Sequence, residues 1–316
     1  MVLTIKKLCD IVYVIVTHMR PHFDEIFAIW MLKKFGEAYF PGIKEAKISF
    51  EGAGGEDLRG FSAEKLEKKG VVCVGIGRGR FDEHPGIQTA KKEGECASSL
   101  VAKFLGIDKD PALSQILRFA VKSDLKAVGS PFDWAQGVKK MHQAYPNHRT
   151  KVINWATMLI EAEYYVQQEF LYALSEIEEN AIKEEIPGPR GRMLNLVTIQ
   201  SDNESISKAA RSTNAAIVIQ QSSDRHVLIF TDNKKRLKIN KIAEEIRFRE
   251  QEAKGRIVTQ DPIALQAEGT VAGAEEWFYH QEGQMLLNGS LSCPDRLPTN
   301  LALEQIREIV KSEIYW

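Results

Sequence analysis

The chain has 316 residues, long enough for two domains that each bury a core. Its 44% hydrophobic and 27% charged content is that of a soluble globular protein, and no apolar run approaches the length needed to span a membrane. A net charge of −1 rules out a strong overall field for nucleic acid, so any nucleic-acid partner must be held by a local site.

The first predicted element is a strand over residues 11–17, an apolar β-branched run too short to be a signal-peptide core. A helix over 24–35, a weakly marked strand over 46–51, a helix over 62–69 and a strand over 71–76 follow. Helices over 96–105 and 112–123 come next. Alternating strands and helices argue for an α/β domain with a parallel sheet over residues 1–150. Residues 151–185 read as one long connecting helix, rich in Glu, Ala, Leu and Tyr with apolar residues at every third or fourth place. Pro187, Gly188, Pro189 and Gly191 then mark a turn or linker and the best boundary in the chain. Beyond it, strands over 194–200, 215–221 and 227–231 and helices over 204–213, 239–252 and 302–314 suggest a smaller α/β or α+β domain over 187–316. Cys9, Cys73, Cys96 and Cys293 are far apart and form no CxxC pair, which fits reduced thiols in a cytoplasmic protein.

Two loops carry the chemistry. The first, after strand 11–17, reads Thr17-His18-Met19-Arg20-Pro21-His22-Phe23-Asp24-Glu25. Two imidazoles and a carboxylate at the carboxyl end of a buried strand stand where open α/β sheets bind ligands, and they suit a borderline divalent cation such as Mn²⁺, Zn²⁺ or Fe²⁺. Pro21 opposes a continuous helix through His18, so this is not a zinc-protease helix. As a plainer reading, Asp24 caps the following helix and the histidines are ordinary loop residues. The second loop, after strand 71–76, reads Gly77-Arg78-Gly79-Arg80-Phe81-Asp82-Glu83-His84-Pro85. It sets three metal-binding or proton-transfer groups beside two arginines able to bind an anion. Its plainer reading is a solvated turn. In the second half, Lys234, Lys235, Arg236, Lys238 and Lys241 form a basic run without interleaved aromatics, either a phosphate contact or a solvated face. Asn288-Gly289-Ser290 with Arg296 reads as an oxyanion-binding turn or, equally, as a hairpin turn.

These loops resemble the first and third motifs of the DHH phosphoesterase superfamily, nearest to its Myg-type (melanocyte proliferating gene) branch. There the first motif reads Thr-His-x-x-x-x-His-x-Asp-Glu with small variations, and the later one Phe-Asp-His-His. Glu95-Cys96-Ala97-Ser98-Ser99 is similar to the small-residue helix start that follows, and Ser123-Asp124 to the place of the last metal-binding aspartate. Trp277-Phe278-Tyr279-His280 and Leu287-Asn288-Gly289-Ser290 resemble the closing His and Gly segment. The resemblance implies an N-terminal domain of DHH type. In it, His18, His22, Asp24, Glu83 and Asp124 ligate metal, with Asp82 and His84 as catalytic groups. Arg78, Arg80, His280, Asn288, Gly289 and Arg296 would contact substrate. Two departures stand out: Glu83 replaces a histidine, and Gly75 holds the place of a metal-bridging aspartate.

A glutamate still ligates metal and a glycine does not. That leaves one ion, an altered pair or none, with Mn²⁺ the expected metal. If the acid is missing only at 75, Gly75→Asp should raise metal occupancy or at least leave folding unharmed. Two functions follow. One is a metal-dependent phosphoester hydrolase, nuclease-like, acting on nucleic-acid ends or nucleotides, with the C-terminal domain closing over substrate. The other is a degenerate relative that binds nucleotide or nucleic acid without turnover. No membrane partner is expected, and a homo-oligomer is compatible with either.

Overall fold

The computed structural model describes residues 11–52, 58, 60–85, 92–126, 129–289, 293 and 295–314. Cys9 and Ser290 lie outside them. The fold is mixed α/β, in two units, residues 1–167 and 168–316. Among the described residues no helix is long and apolar enough to cross a membrane.

In the first unit the order is β1 (Val14–His18), α1 (Phe23–Phe35), β2 (Lys47–Glu51), α2 (Ala63–Lys68), β3 (Val71–Cys73), α3 (Ala97–Leu105), α4 (Ser114–Lys126) and α5 (Trp134–Ala144). The 32-residue α6 (Arg149–Asn180) then runs on into the second unit. The three strands form a parallel sheet in the order β2-β1-β3. β1 is therefore central, and its carboxyl end lies beside that of β3. Val16, Leu66, Val71, Cys73 and Ile76 pack on one another in a buried core cluster. α1 packs against α3, α4 and α5. Its ring Phe23 meets Phe119 of α4 and Trp134 of α5 at 5.2 and 5.8 Å between centroids. β3 is shorter than the expected 71–76, because Gly75 and Gly77 take positive φ of 67° and 82° and turn the chain out of the sheet. The helix α5 lies in a stretch for which the sequence suggested no element.

The second unit holds a seven-stranded sheet in the order β4-β5-β6-β7-β10-β9-β8. Its elements are β4 (Ile182–Pro187), β5 (Met193–Gln200), α7 (Ile206–Ser212), β6 (Ile217–Gln221), β7 (Val227–Thr231), α8 (Asn240–Ala253), α9 (Pro262–Leu265), β8 (Gly269–Val271), β9 (Ala274–His280), β10 (Met285–Asn288) and α10 (Leu303–Glu313). Only β5 and β6 pair in parallel. One face packs on α8 and α10 through Ile217, Ile229, Ile242, Ile246, Trp277 and Ile306.

The long helix ends at Asn180, not near 185, and the Pro187–Gly191 region is no linker. Residues 182–187 form the edge strand β4, paired antiparallel with β5, and a short 3₁₀ turn at Pro189–Gly191 closes the hairpin. Pro187 ends that strand, and proline lacks the N–H that a strand interior needs. A segment built into a sheet cannot act as a hinge for closure.

Candidate metal centre

The two loops leave the same end of the parallel sheet, one after β1 and one after β3. His22 of the first loop, Asp24 in the first turn of α1 and Asp124 near the end of α4 offer ligand atoms within 4.8 Å of one another. Asp82, Glu83 and His84 form a second group of the same compactness. The two groups act on each other: Glu83 pushes the Asp24 carboxyl upward, and His84 pulls the Asp124 carboxyl down.

Burial and mutual repulsion mark these acids. Asp24 is 4% exposed. Burial first, then the charges of Glu25, Asp124 and Glu83, raises its pKa well above the usual carboxylate range. Glu83 and Asp124 are also raised, again mainly by burial. Glu83 Oε2 is buried without a hydrogen-bond partner. Two carboxylates and an imidazole around one point, with further acids facing them and an orphaned carboxylate oxygen nearby, are a donor set that could hold a metal cation. His22 and Asp24 also start α1, but His22 is not held as a side-chain cap.

His18 is placed differently from the other expected ligands. Its Nδ1 lies 2.6 Å from Oε1 of Glu25. Facing a carboxylate, Nδ1 is the donor, so in the neutral ring Nε2 keeps its lone pair, and a cation there would compete with a proton. This bond is the main cause of a raised His18 pKa. Glu25 also accepts from Thr17 Oγ1 at 3.1 Å and from the His22 backbone N–H at 2.7 Å. It is the residue that sequence reasoning passed over, and its position explains Gly75. A Cβ on residue 75 would stand 2.4 Å from Glu25 Oε1 and 2.8 Å from its Cγ. The Glu25 carboxylate thus occupies the space that a side chain at 75 would need. The expectation that Gly75→Asp leaves folding unharmed is overturned by this contact and by the left-handed backbone at Gly75.

Asp82 is 2% exposed and holds the second loop. Its Oδ2 accepts from Arg78 N at 2.7 Å, and its Oδ1 accepts from His84 N at 3.0 Å and His84 Nδ1 at 2.8 Å. His84 itself is half exposed, with the Asp82 contact fixing its Nδ1. Arg78 lines a cleft with His18, Asp82 and His84. Lys139 of α5 lines a separate pocket with His22, Asp24 and Asp124. Lys92 tightens the loop by donating to the carbonyls of Gly79, Arg80 and Asp82. His142 Nε2 lies 3.1 Å from Pro21 O, and Arg149 Nε donates to Met19 O at 2.8 Å, so α5 and α6 pin the first loop. Burial lowers the His142 pKa, which keeps it neutral in that role. Nothing in the sequence pointed to His142, because α5 itself was not expected.

Five expected substrate residues make structural contacts. Arg80 makes a two-point ion pair with Glu67, at 2.7 and 2.9 Å, and its guanidinium lies over the Phe104 ring. Asn288 is fully buried and joins Glu276 O, Leu297 O and Thr299 N. Arg296 Nη1 donates to Glu275 O. His280 Nδ1 accepts from Gly283 N at 2.8 Å and closes the turn between β9 and β10. Gly289 has φ of +80°, and a Cβ there would meet His226 Nδ1 at 2.6 Å, so it serves a turn. The basic run is a short surface turn and the start of α8, where Lys241 pairs with Glu244 and Lys235 with Asn214.

No protein-family model matches the chain, and no curated protein matches it. Among solved structures, it is similar to an uncharacterized protein from Helicobacter pylori G27, at 9% identity over 96% of this chain and 99% of that one. The TM-score is 0.26.

Proposed function

We propose that the first unit is a divalent-cation-dependent phosphoester hydrolase, nuclease-like, acting on nucleotides or nucleic-acid ends. The observation that carries this reading is the pairing of two ligand clusters, His22-Asp24-Asp124 and Asp82-Glu83-His84, at one end of a parallel sheet with buried, mutually repelling carboxylates. The substrate class comes from the resemblance of these loops to DHH phosphoesterases. His22, Asp24 and Asp124 would hold the ion, with Glu83 beside them and His18 offering Nε2. A bound divalent cation lowers the pKa of its water and offsets phosphate charge. Arg78, in the pocket of His18 and His84, and Lys139, in the pocket of Asp24 and Asp124, would supply positive charge for the phosphate oxygens. Asp82 orients His84 through Nδ1; as the imidazolium, the ring would give the proton of its other nitrogen to the leaving oxygen and would then recover one from the attacking water.

Gly75 favours a second reading, binding without turnover. The carboxylate in that space belongs to Glu25 and is already engaged by Thr17, His18 and the His22 N–H. The test is hydrolysis of bis(p-nitrophenyl) phosphate and of end-labelled oligonucleotides with added Mn²⁺, alongside metal analysis. Wild type should hydrolyse at least one. Asp24→Asn and Asp124→Asn should lose metal by more than the roughly 10–100-fold typical of outer partners. Metal bound without hydrolysis of either substrate would leave the second reading; no metal bound at all would remove the first.

A further inference from the structure

The most exposed apolar side chains of α6 share one face. Met158, Tyr165 and Tyr172 are 72%, 60% and 63% exposed. They fall seven residues apart, so they line up along the helix with only a slight drift. Lys151 and Glu179 extend the same spacing by one step at each end, and both are exposed. Ala162 and Val166 add apolar surface between them. All lie on the one helix α6. Lys151 lies over the Tyr145 ring at 4.9 Å, and Glu179 accepts from Ser175 Oγ at 3.0 Å, so both charges are held at the surface.

The stripe is complementary to its own reverse. Read forwards it is Lys, Met, Tyr, Tyr, Glu; read backwards it is Glu, Tyr, Tyr, Met, Lys. Laid against its reverse about Tyr165, it sets cation against carboxylate at each end and apolar against apolar between. Glu176 adds to the acidic end, while Glu178 is paired with Lys183. A parallel pairing would bring the acidic ends together, and like charges at facing helix positions oppose association. A contiguous exposed apolar patch on a soluble protein marks an interaction surface. A twofold pairing uses the same patch on both partners, which is what a self-complementary stripe supplies.

We propose that this stripe is the contact surface for a second copy of the chain, with the two α6 helices pairing antiparallel about a twofold axis close to Tyr165. None of its residues belongs to the metal centre, so the pairing stands independently of the proposed activity. The test is sedimentation of the full chain over a range of concentrations, with circular dichroism to confirm folding. Wild type should dimerise, and Tyr165→Lys should weaken the dimer at least tenfold while leaving the helical signal and melting temperature unchanged. Lys151→Glu should also weaken it, and adding Glu176→Lys with Glu179→Lys should restore it. A wild type that stays monomeric at high concentration, or a dimer indifferent to Tyr165→Lys in a folded protein, would overturn the proposal. A dimer indifferent to the charge reversals would overturn its antiparallel arrangement.

Discussion

Glu25 and Gly75 form a reciprocal pair: the carboxylate exists where it does because residue 75 has no side chain. Gly75→Asp therefore meets two penalties. Left-handed backbone costs a non-glycine residue about 1–2 kcal/mol, and the contact with Glu25 adds to it. The expected outcome is a melting temperature lower by about 2–8 °C, without a gain in bound Mn²⁺. A stable variant that binds more metal would show that Glu25 vacates the space readily. Glu25→Gln probes the other partner. Its amide nitrogen would face either the Thr17 and His18 donors or the His22 N–H, depending on which oxygen it replaces, and the uncharged amide would hold the His18 Nδ1 proton less strongly. Loss of such an outer partner typically weakens metal binding by about 10–100-fold, which titration calorimetry with Mn²⁺ would read. Unchanged affinity would mean that His18 takes no part in the centre. The sequence made His18, His22 and Asp24 legible because they crowd one loop. It could not show Glu25's role, which depends on a glycine fifty residues away.

Elements were legible where the pattern was local and strong. β1, α1, β6 and β7 follow from apolar runs and helical spacing. β4 was not, because Ile182-Lys183-Glu184-Glu185 reads as more of the preceding helix, whereas charged residues are what a protected edge strand carries. The strands β8, β9 and β10 were missed because their residues read as motif rather than as alternating strand. Buried polar groups that knit distant elements are equally hidden from sequence. Glu250 on α8 is fully buried and accepts from Trp277 Nε1, Thr299 Oγ1, Asn300 N and Asn300 Nδ2. Burial alone would raise its pKa, but these bonds, Thr299 first, outweigh it and the pKa is lowered. Its contribution is therefore fully present above the unfolded carboxylate pKa and is lost as pH falls through the lower, folded value. Glu250→Gln should cost about 1.5–3 kcal/mol at pH 7 and progressively less in acid, measured by urea unfolding at several pH values. A cost independent of pH would contradict an ionised Glu250. Arg247, one turn earlier, is fully buried and donates to the carbonyls of Leu265, Ala267, Gly269 and Trp277, linking α8 to α9, β8 and β9. Burial pushes its pKa down to about 10. Lysine has three donors and no planar fork, so Arg247→Lys should destabilise the second unit despite keeping the charge.

At the scale of the whole molecule, each unit has its own core, and among the described residues the ligand clusters lie in the first unit. A cation that binds only the folded form stabilises it by mass action, about 2.7 kcal/mol at a hundredfold excess over its dissociation constant. The buried acids sharpen the effect, because Asp24, Glu83 and Asp124 repel one another until a cation stands between them. Stabilisation should therefore be local. Hydrogen exchange read by mass spectrometry should slow on adding Mn²⁺ in peptides covering β1, the start of α1, residues 81–85 and the end of α4. Peptides covering β5, β6 and β7 should exchange at the same rate with or without metal. The control is Asp124→Asn, which alters a candidate ligand at the end of α4 and, if the two loops share one ion, should abolish the slowing in both together. Slowing spread evenly over both units, or slowing in the residue 81–85 loop that survives Asp124→Asn, would show that the two clusters do not form a common centre.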